Sequence, residues 1–276
     1  MALLLVAALA YGAGVVSLRR RGLSWPVGRV VGFVGAGLGS YAIVSFGFLG
    51  VYSQDLRWAF TTRIALLLFA VPGLCNLGAP LALVRQVLSG VRLDTLERLL
   101  HAWPVRMIGS AGFAPIFALG AFSLFLTPLA GSVRESPVAQ ALITVLVPLF
   151  GLLMVIPVVD KNLHTGFFMT VEFLFVFVEL ILDAIPGIVL RINHVVFDRV
   201  GAVHGAFPGW FPTALRDQHL SGDLLWFIAE ISDIPILIYM FVRWSRIDRR
   251  EAKGMDELSD EEMDALTQEY LRAHRR

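Results

Sequence analysis

The chain has 276 residues, 57% of them hydrophobic and only 16% charged, with a mean hydropathy of +0.71. A soluble globular chain carries about 25% charged residues, so the composition excludes an ordinary soluble fold, and a formal net charge of +1 gives no basis for a nucleic-acid partner. The single cysteine, Cys75, lies in an apolar run and excludes an intramolecular disulfide or a Cys-x-x-Cys metal or redox pair.

About 20 mainly apolar residues span the roughly 30 Å hydrocarbon layer as a helix. Seven stretches meet that length, near 1–17, 28–49, 59–80, 107–128, 138–159, 165–190 and 221–242, so the sequence predicts an all-α, polytopic membrane helix bundle. The first stretch is expected to be a retained helix, because Arg19, Arg20 and Arg21 follow it, whereas a signal peptide carries its positive charge in front. In the second, Gly35 and Gly39 form a small-x-x-x-small pair, extended by Gly32, Ala36 and Ser40, suited to close helix approach. Pro72, Pro115, Pro148, Pro186 and Pro235 fall inside apolar stretches and predict kinks rather than breaks. With the amino terminus outside, 17 of the 23 basic residues fall on the inner side, the orientation in which short Lys/Arg-rich loops stay cytoplasmic. The organisation expected is a transmembrane domain over 1–250 and a cytoplasmic helical tail over 251–276. Ser259 and Glu262 have capping-box spacing there, and predict a short helix near 259–274.

Ionisable side chains inside an apolar helix cost about 2.5–3.5 kcal/mol on insertion scales and need a partner or a task. Glu172, Glu179 and Asp183 fall on one line of the sixth stretch, and that line is expected to face the bundle interior. Glu230 and Asp233 are neighbours on the seventh. Arg63 is the one cation set well into an apolar stretch, and depth alone predicts that it pairs with Asp183, Glu230 or both. Of the six histidines, His101, His164 and His274 fall on inner segments, while His194, His204 and His219 fall on the outer segment 191–220 with Phe207, Trp210 and Phe211. No His-x-x-x-His pair and no Met-x-x-Met cluster occurs, and the residues themselves predict no metal site and no other cofactor.

Asp217-Gln218-His219-Leu220-Ser221-Gly222, then Leu225-Trp226, Glu230 and the basic exit Arg243-Trp244-Ser245-Arg246-Ile247-Asp248-Arg249-Arg250-Glu251-Ala252 resemble the bacterial cytochrome c oxidase assembly factor family of CtaG type. Leu18-Arg19-Arg20-Arg21-Gly22, Trp25-Pro26-Val27-Gly28-Arg29, Leu77-Gly78-Ala79-Pro80, Leu100-His101-Ala102-Trp103-Pro104-Val105-Arg106 and Phe125-Leu126-Thr127-Pro128-Leu129 extend the resemblance over nearly the whole chain. It implies a seven-helix protein of the bacterial plasma membrane that assists maturation of a haem-copper oxidase, with oxidase subunits and the lipid bilayer as partners and copper as the one metal to consider. It also implies histidine ligands that this chain lacks. Phe60 and Ile64 stand at the expected His-x-x-x-His pair, Gln140, Thr144 and Leu146 at a further group, and Asp183 at another. The chain resembles a divergent member, in which a buried ion pair between Arg63 and Asp183 is expected to fill the space of the metal.

The function expected is that of a non-catalytic, assembly-factor-like membrane protein assisting maturation of a haem-copper oxidase, with a scaffold role and copper delivery as the two forms to be separated. The alternative is a small transporter or proton-conducting protein built on Glu172, Glu179, Asp183, Glu230 and Asp233.

Overall fold

The computed structural model describes residues 1–108, 113–159, 166–197 and 208–256. Its described elements are helices and turns, with no strand among them. The tail helix expected near 259–274 lies outside the described residues.

α1 (Ala2–Arg20) is uninterrupted, having no proline and no charge before Arg19. The second stretch is assembled in pieces: α2 (Val27–Val31), a π-helical section over Gly32–Leu38, α3 (Gly39–Phe46) and α4 (Phe48–Tyr52). This changes which glycines make the close contact. At Gly37 a methyl group would stand 2.8 Å from the Cys75 Cα, whereas Gly35 and Gly39 meet only atoms of their own helix. Of the expected seam Gly32 makes the close approach, against Leu77, while Gly37 takes the place of Gly35 and Gly39, because i→i+5 bonding alters the set of residues sharing a face.

α5 (Arg57–Ala65) passes through a second π-helical section, Leu66–Ala70, into α6 (Val71–Asn76). Pro72 has no N–H and its ring crowds the carbonyl four residues back, and the widened turn directly before it accommodates both effects. Three short helices follow, α7 (Pro80–Val87), α8 (Val91–Leu100) and α9 (Trp103–Ile108), with Arg85 Nε 2.8 Å from Glu97 Oε1 joining the first two. The fourth apolar stretch contains α10 (Phe113–Ser123), a 3₁₀ turn over Leu124–Leu126 and an extended Thr127, which precedes a proline and is driven out of the helical region. α11 (Leu129–Glu135) and α12 (Pro137–Val159) complete that half.

α13 (Gly166–Ile192) and α14 (Ala214–Asp256) form the most extensive helix pair, each continuous through its internal proline. α14 starts seven residues ahead of the expected seventh span, because the Thr213 hydroxyl accepts the Arg216 N–H as a cap, and it runs on through the basic exit. Among the described residues four helical segments, Leu3–Arg20, Val27–Tyr52, Arg57–Asn76 and Pro137–Val155, are long and apolar enough to cross a membrane. They coincide with the first, second, third and fifth predicted stretches.

Two apolar clusters hold the bundle. One joins α1, the α2–α3 segment, α6 and α7 around Tyr11, Phe33, Val71 and Leu83. The other joins α5, α10, α13 and α14 around Phe60, Phe122, Leu190 and Leu225. In the α13–α14 pair the backbones meet at Gly187 and Gly222. A methyl group on Gly222 would collide with the Gly187 carbonyl and stand 2.9 Å from the Arg191 nitrogen. Those are main-chain atoms and cannot rotate away, so Gly222→Ala should lower stability by about 1–3 kcal/mol, as overpacking does. Gly12→Ala, with nothing within 4 Å of its new methyl, should be neutral or better. Thermal unfolding followed by circular dichroism in detergent ranks the two, and equal melting temperatures would refute the contact.

Candidate functional site

An α-helix leaves its first backbone N–H groups without intrahelical partners. Leu56, at the N-cap of α5, supplies no side-chain acceptor. The acceptor comes from another helix: Asp217, in the first turn of α14, receives the Arg57 N–H on Oδ2 at 2.8 Å and the Trp58 N–H on Oδ1 at 2.9 Å. One buried carboxylate therefore straddles the positive end of α5, where a negative charge is favoured. Four residues further along each helix the same pair is fastened again, with Thr61 Oγ1 and Ser221 Oγ 2.8 Å apart.

Gln218 extends the joint. Its Oε1 accepts Arg57 Nη1 at 2.9 Å and the Phe197 N–H at 2.9 Å, while its Nε2 donates to the carbonyls of Val195 and Asn193. His219 lies with Nε2 3.1 Å from the same Asn193 carbonyl. Arg57, only 2% exposed, also donates to the Phe125 carbonyl in the 3₁₀ turn after α10. Asp217 and Gln218 thus tie α5, α10, α14 and the segment leaving α13 into one polar knot.

A second layer surrounds Arg63, which is 4% exposed. Its Nη1 donates to Gln140 Oε1 and, at 3.3 Å, to Ser53 Oγ, and its Nη2 donates to Thr144 Oγ1. Gln140 and Thr144 lie one turn apart on α12, and the Thr144 hydroxyl donates in turn to the Gln140 carbonyl at 2.7 Å. Buried Arg134 closes the layer by donating to the carbonyls of Ser53 and Gln54.

The expected pairing of Arg63 with Asp183 or Glu230 is not formed. Arg63 makes no ion pair among the described residues, Asp183 is 1% exposed with neither oxygen hydrogen-bonded there, and Glu230 accepts the Trp226 indole N–H at 2.9 Å. Depth explains the outcome. Thr61 and Ser221 mark one level; Arg63 is two residues beyond it, about 3 Å of helix rise, and Glu230 nine residues beyond it, about 13 Å. Asp183 is buried on α13, and Asp233 is buried on α14 with Oδ2 unpartnered. The backbones of Glu172 and Glu179 lie on α13, and their side chains lie outside the described residues.

Among the histidines, His194 and His219 have ring centroids 6.3 Å apart, and His204 lies outside the described residues. No group of three or more His, Cys, Asp or Glu side chains among the described residues could hold a metal ion. Arg57, Arg134, Ser53 and Thr61 were not singled out by sequence reasoning. The one available signal was Arg57 itself, a cation at the first turn of an apolar helix whose N-cap has no local acceptor.

An all-helical bundle with four membrane-length apolar segments and a buried polar knot at one end defines a class of helical membrane protein. The chain belongs to the cytochrome c oxidase caa3 assembly factor family, whose model matches residues 9–247. Similar curated proteins are uncharacterized ones: from Mycobacterium bovis and from Mycobacterium tuberculosis, each 26% identical over 92% of this chain, and from Mycobacterium leprae, 25% identical over 93%. The chain spans about 40% of the length of each of these relatives. No solved structure matches the chain.

Removing the Asp217 carboxylate strands two buried N–H groups. Asp217→Ala should therefore cost at least about 2 kcal/mol, the upper range of a helix cap, and Asp217→Asn, which keeps one acceptor oxygen, should cost less. Chemical unfolding in detergent, followed through helix content, measures the order; an alanine variant as stable as the parent would contradict the cap.

Proposed function

We propose that this chain is a non-catalytic scaffold in the assembly of a haem-copper oxidase, a multi-pass protein of the bacterial plasma membrane that holds oxidase subunits without carrying copper. Family membership supports the oxidase role. The seven-span reading, with the amino terminus outside and the tail in the cytoplasm, is supported by the bias of basic residues and by the four membrane-length segments.

The observation that carries the scaffold reading is the place of Arg63. Gln140 and Thr144 stand where the family resemblance expects histidines, and both direct their oxygens to the Arg63 guanidinium. Copper prefers thiolate, thioether or imidazole, and a guanidinium has no lone pair to offer and repels a metal cation. Phe60, at another expected ligand position, is buried with its ring edge-on to Phe125. These residues do not fit copper. In their place a fixed cation spans α5 and α12, so the join a metal would make is made by hydrogen bonds.

Two measurements test the reading. Metal analysis of the purified protein should find copper well below one per chain. A deletion strain should lose oxidase activity that added copper does not restore, whereas a variant with a disabled copper carrier would be rescued. Stoichiometric copper, or full rescue by copper, would overturn the proposal.

A further inference from the structure

A cavity of about 460 Å³ opens between α1, Phe33 and α7, lined by Ala7, Ala10, Gly14, Phe33, Leu83 and Val87, with Tyr11 as its one polar side chain. The volume is within the range of about 300–1,000 Å³ that holds a small ligand. Its cause lies in α1, where alanine and glycine occupy the positions facing α7, so the helices meet at Gly14 against Leu83 and stand apart around it.

Ala7 and Gly14 lie seven residues apart and so share a face of α1, and Arg21 follows at its C-terminal cap. The Arg21 guanidinium reaches the carbonyl of Gln86, directly beside the cavity residue Val87. Arg19, Arg20 and Arg21 are all exposed, and Arg19 and Arg20 make no ion pair among the described residues. Ala7 to Arg21 is fourteen residues, about 20 Å of rise, the depth of one leaflet with its headgroup layer. The apolar cavity and the cationic cluster are thus stacked as the chain and the phosphate of a phospholipid are stacked.

We propose that this cleft is a binding site for one anionic phospholipid, an acyl chain filling the space between α1 and α7 and its phosphate held by Arg20 and Arg21. The proposal rests on the membrane placement given above, in which this end faces the cytoplasmic leaflet, where anionic lipids attract basic segments. Headgroup charge supplies the selectivity and the cleft supplies the position.

Trp25 reports on the site, since its indole N–H donates to the Tyr11 hydroxyl at 3.0 Å behind the cavity wall. The full chain is reconstituted in phosphatidylcholine vesicles carrying either brominated phosphatidylglycerol or brominated phosphatidylcholine. The part of the quenching lost in Trp25→Phe is then taken as the signal. Phosphatidylglycerol should quench that part about fivefold more effectively for each arginine engaged. The triple variant Arg19→Gln, Arg20→Gln, Arg21→Gln should abolish the preference, and Ala10→Phe, which fills the cleft, should remove the Trp25 component while sparing the other tryptophans. Equal quenching of Trp25 by both lipids, or a preference unchanged in the glutamine variant, would mean bulk annular lipid only and would overturn the site. Should Ala10→Phe fail to fold, the lipid comparison in the parent and the glutamine variant decides alone. Absence of quenching of every tryptophan by either lipid would instead refute the membrane placement.

Discussion

Two backbone N–H groups at the start of α5 have no acceptor in their own helix, and the carboxylate of Asp217 supplies one from α14, more than 150 residues away in sequence. Leaving such groups unpaired in an apolar interior costs several kcal/mol, far more than a surface contact gains. The need is mutual, since a lone buried carboxylate is equally unfavourable. This exchange sets the level at which α5 and α14 are parallel neighbours. Thr61 and Ser221 then meet one turn on, and Gln218 gathers the end of α13 and the Phe125 turn through Arg57. Once that level is set, the Gly187–Gly222 contact places α13 against α14 at a separation no larger side chain would allow.

The second arginine is held in a different manner. Arg63 is answered by amide and hydroxyl oxygens, not by a carboxylate. Hydrogen bonds to a charged donor are roughly twice as strong as neutral ones, so three neutral acceptors offset part of its desolvation without adding a second buried charge. The geometry also fixes α12 to α5, because Gln140 and Thr144 present their oxygens to the same guanidinium.

Much of the architecture was legible in the sequence because length and hydropathy alone decide which segments can cross a membrane. The four membrane-length segments among the described residues fall where apolar runs were read, and Asp217 and Gln218, noted for a family resemblance, lie in the buried hydrogen-bonded knot. What was not legible followed from geometry that a single sequence does not encode. Helical-wheel reasoning assumes 3.6 residues per turn, so the π-helical section over Gly32–Leu38 moved the packing glycine from Gly35 to Gly37. Depth matching treated the outer half of the bundle as one level, yet about 10 Å separates Arg63 from Glu230 along the helix axes. That distance is too great for a direct pair, and Gln140, a residue read only as a missing histidine, became the partner instead.

The polar groups that distinguish this chain are turned inward. Both Asp217 oxygens, the Gln218 amide and the Arg63 guanidinium nitrogens Nη1 and Nη2 are spent on the protein's own backbone and side chains. A motif so occupied cannot also grip a client by the same atoms. On the scaffold proposal, a client would instead meet surfaces that the knot positions, such as the exposed apolar face of α13 at Ile181, Ile185 and Ile188. In this arrangement the buried polar residues hold the helices in register, and the exposed apolar ones are where burial against a partner helix would replace contact with lipid.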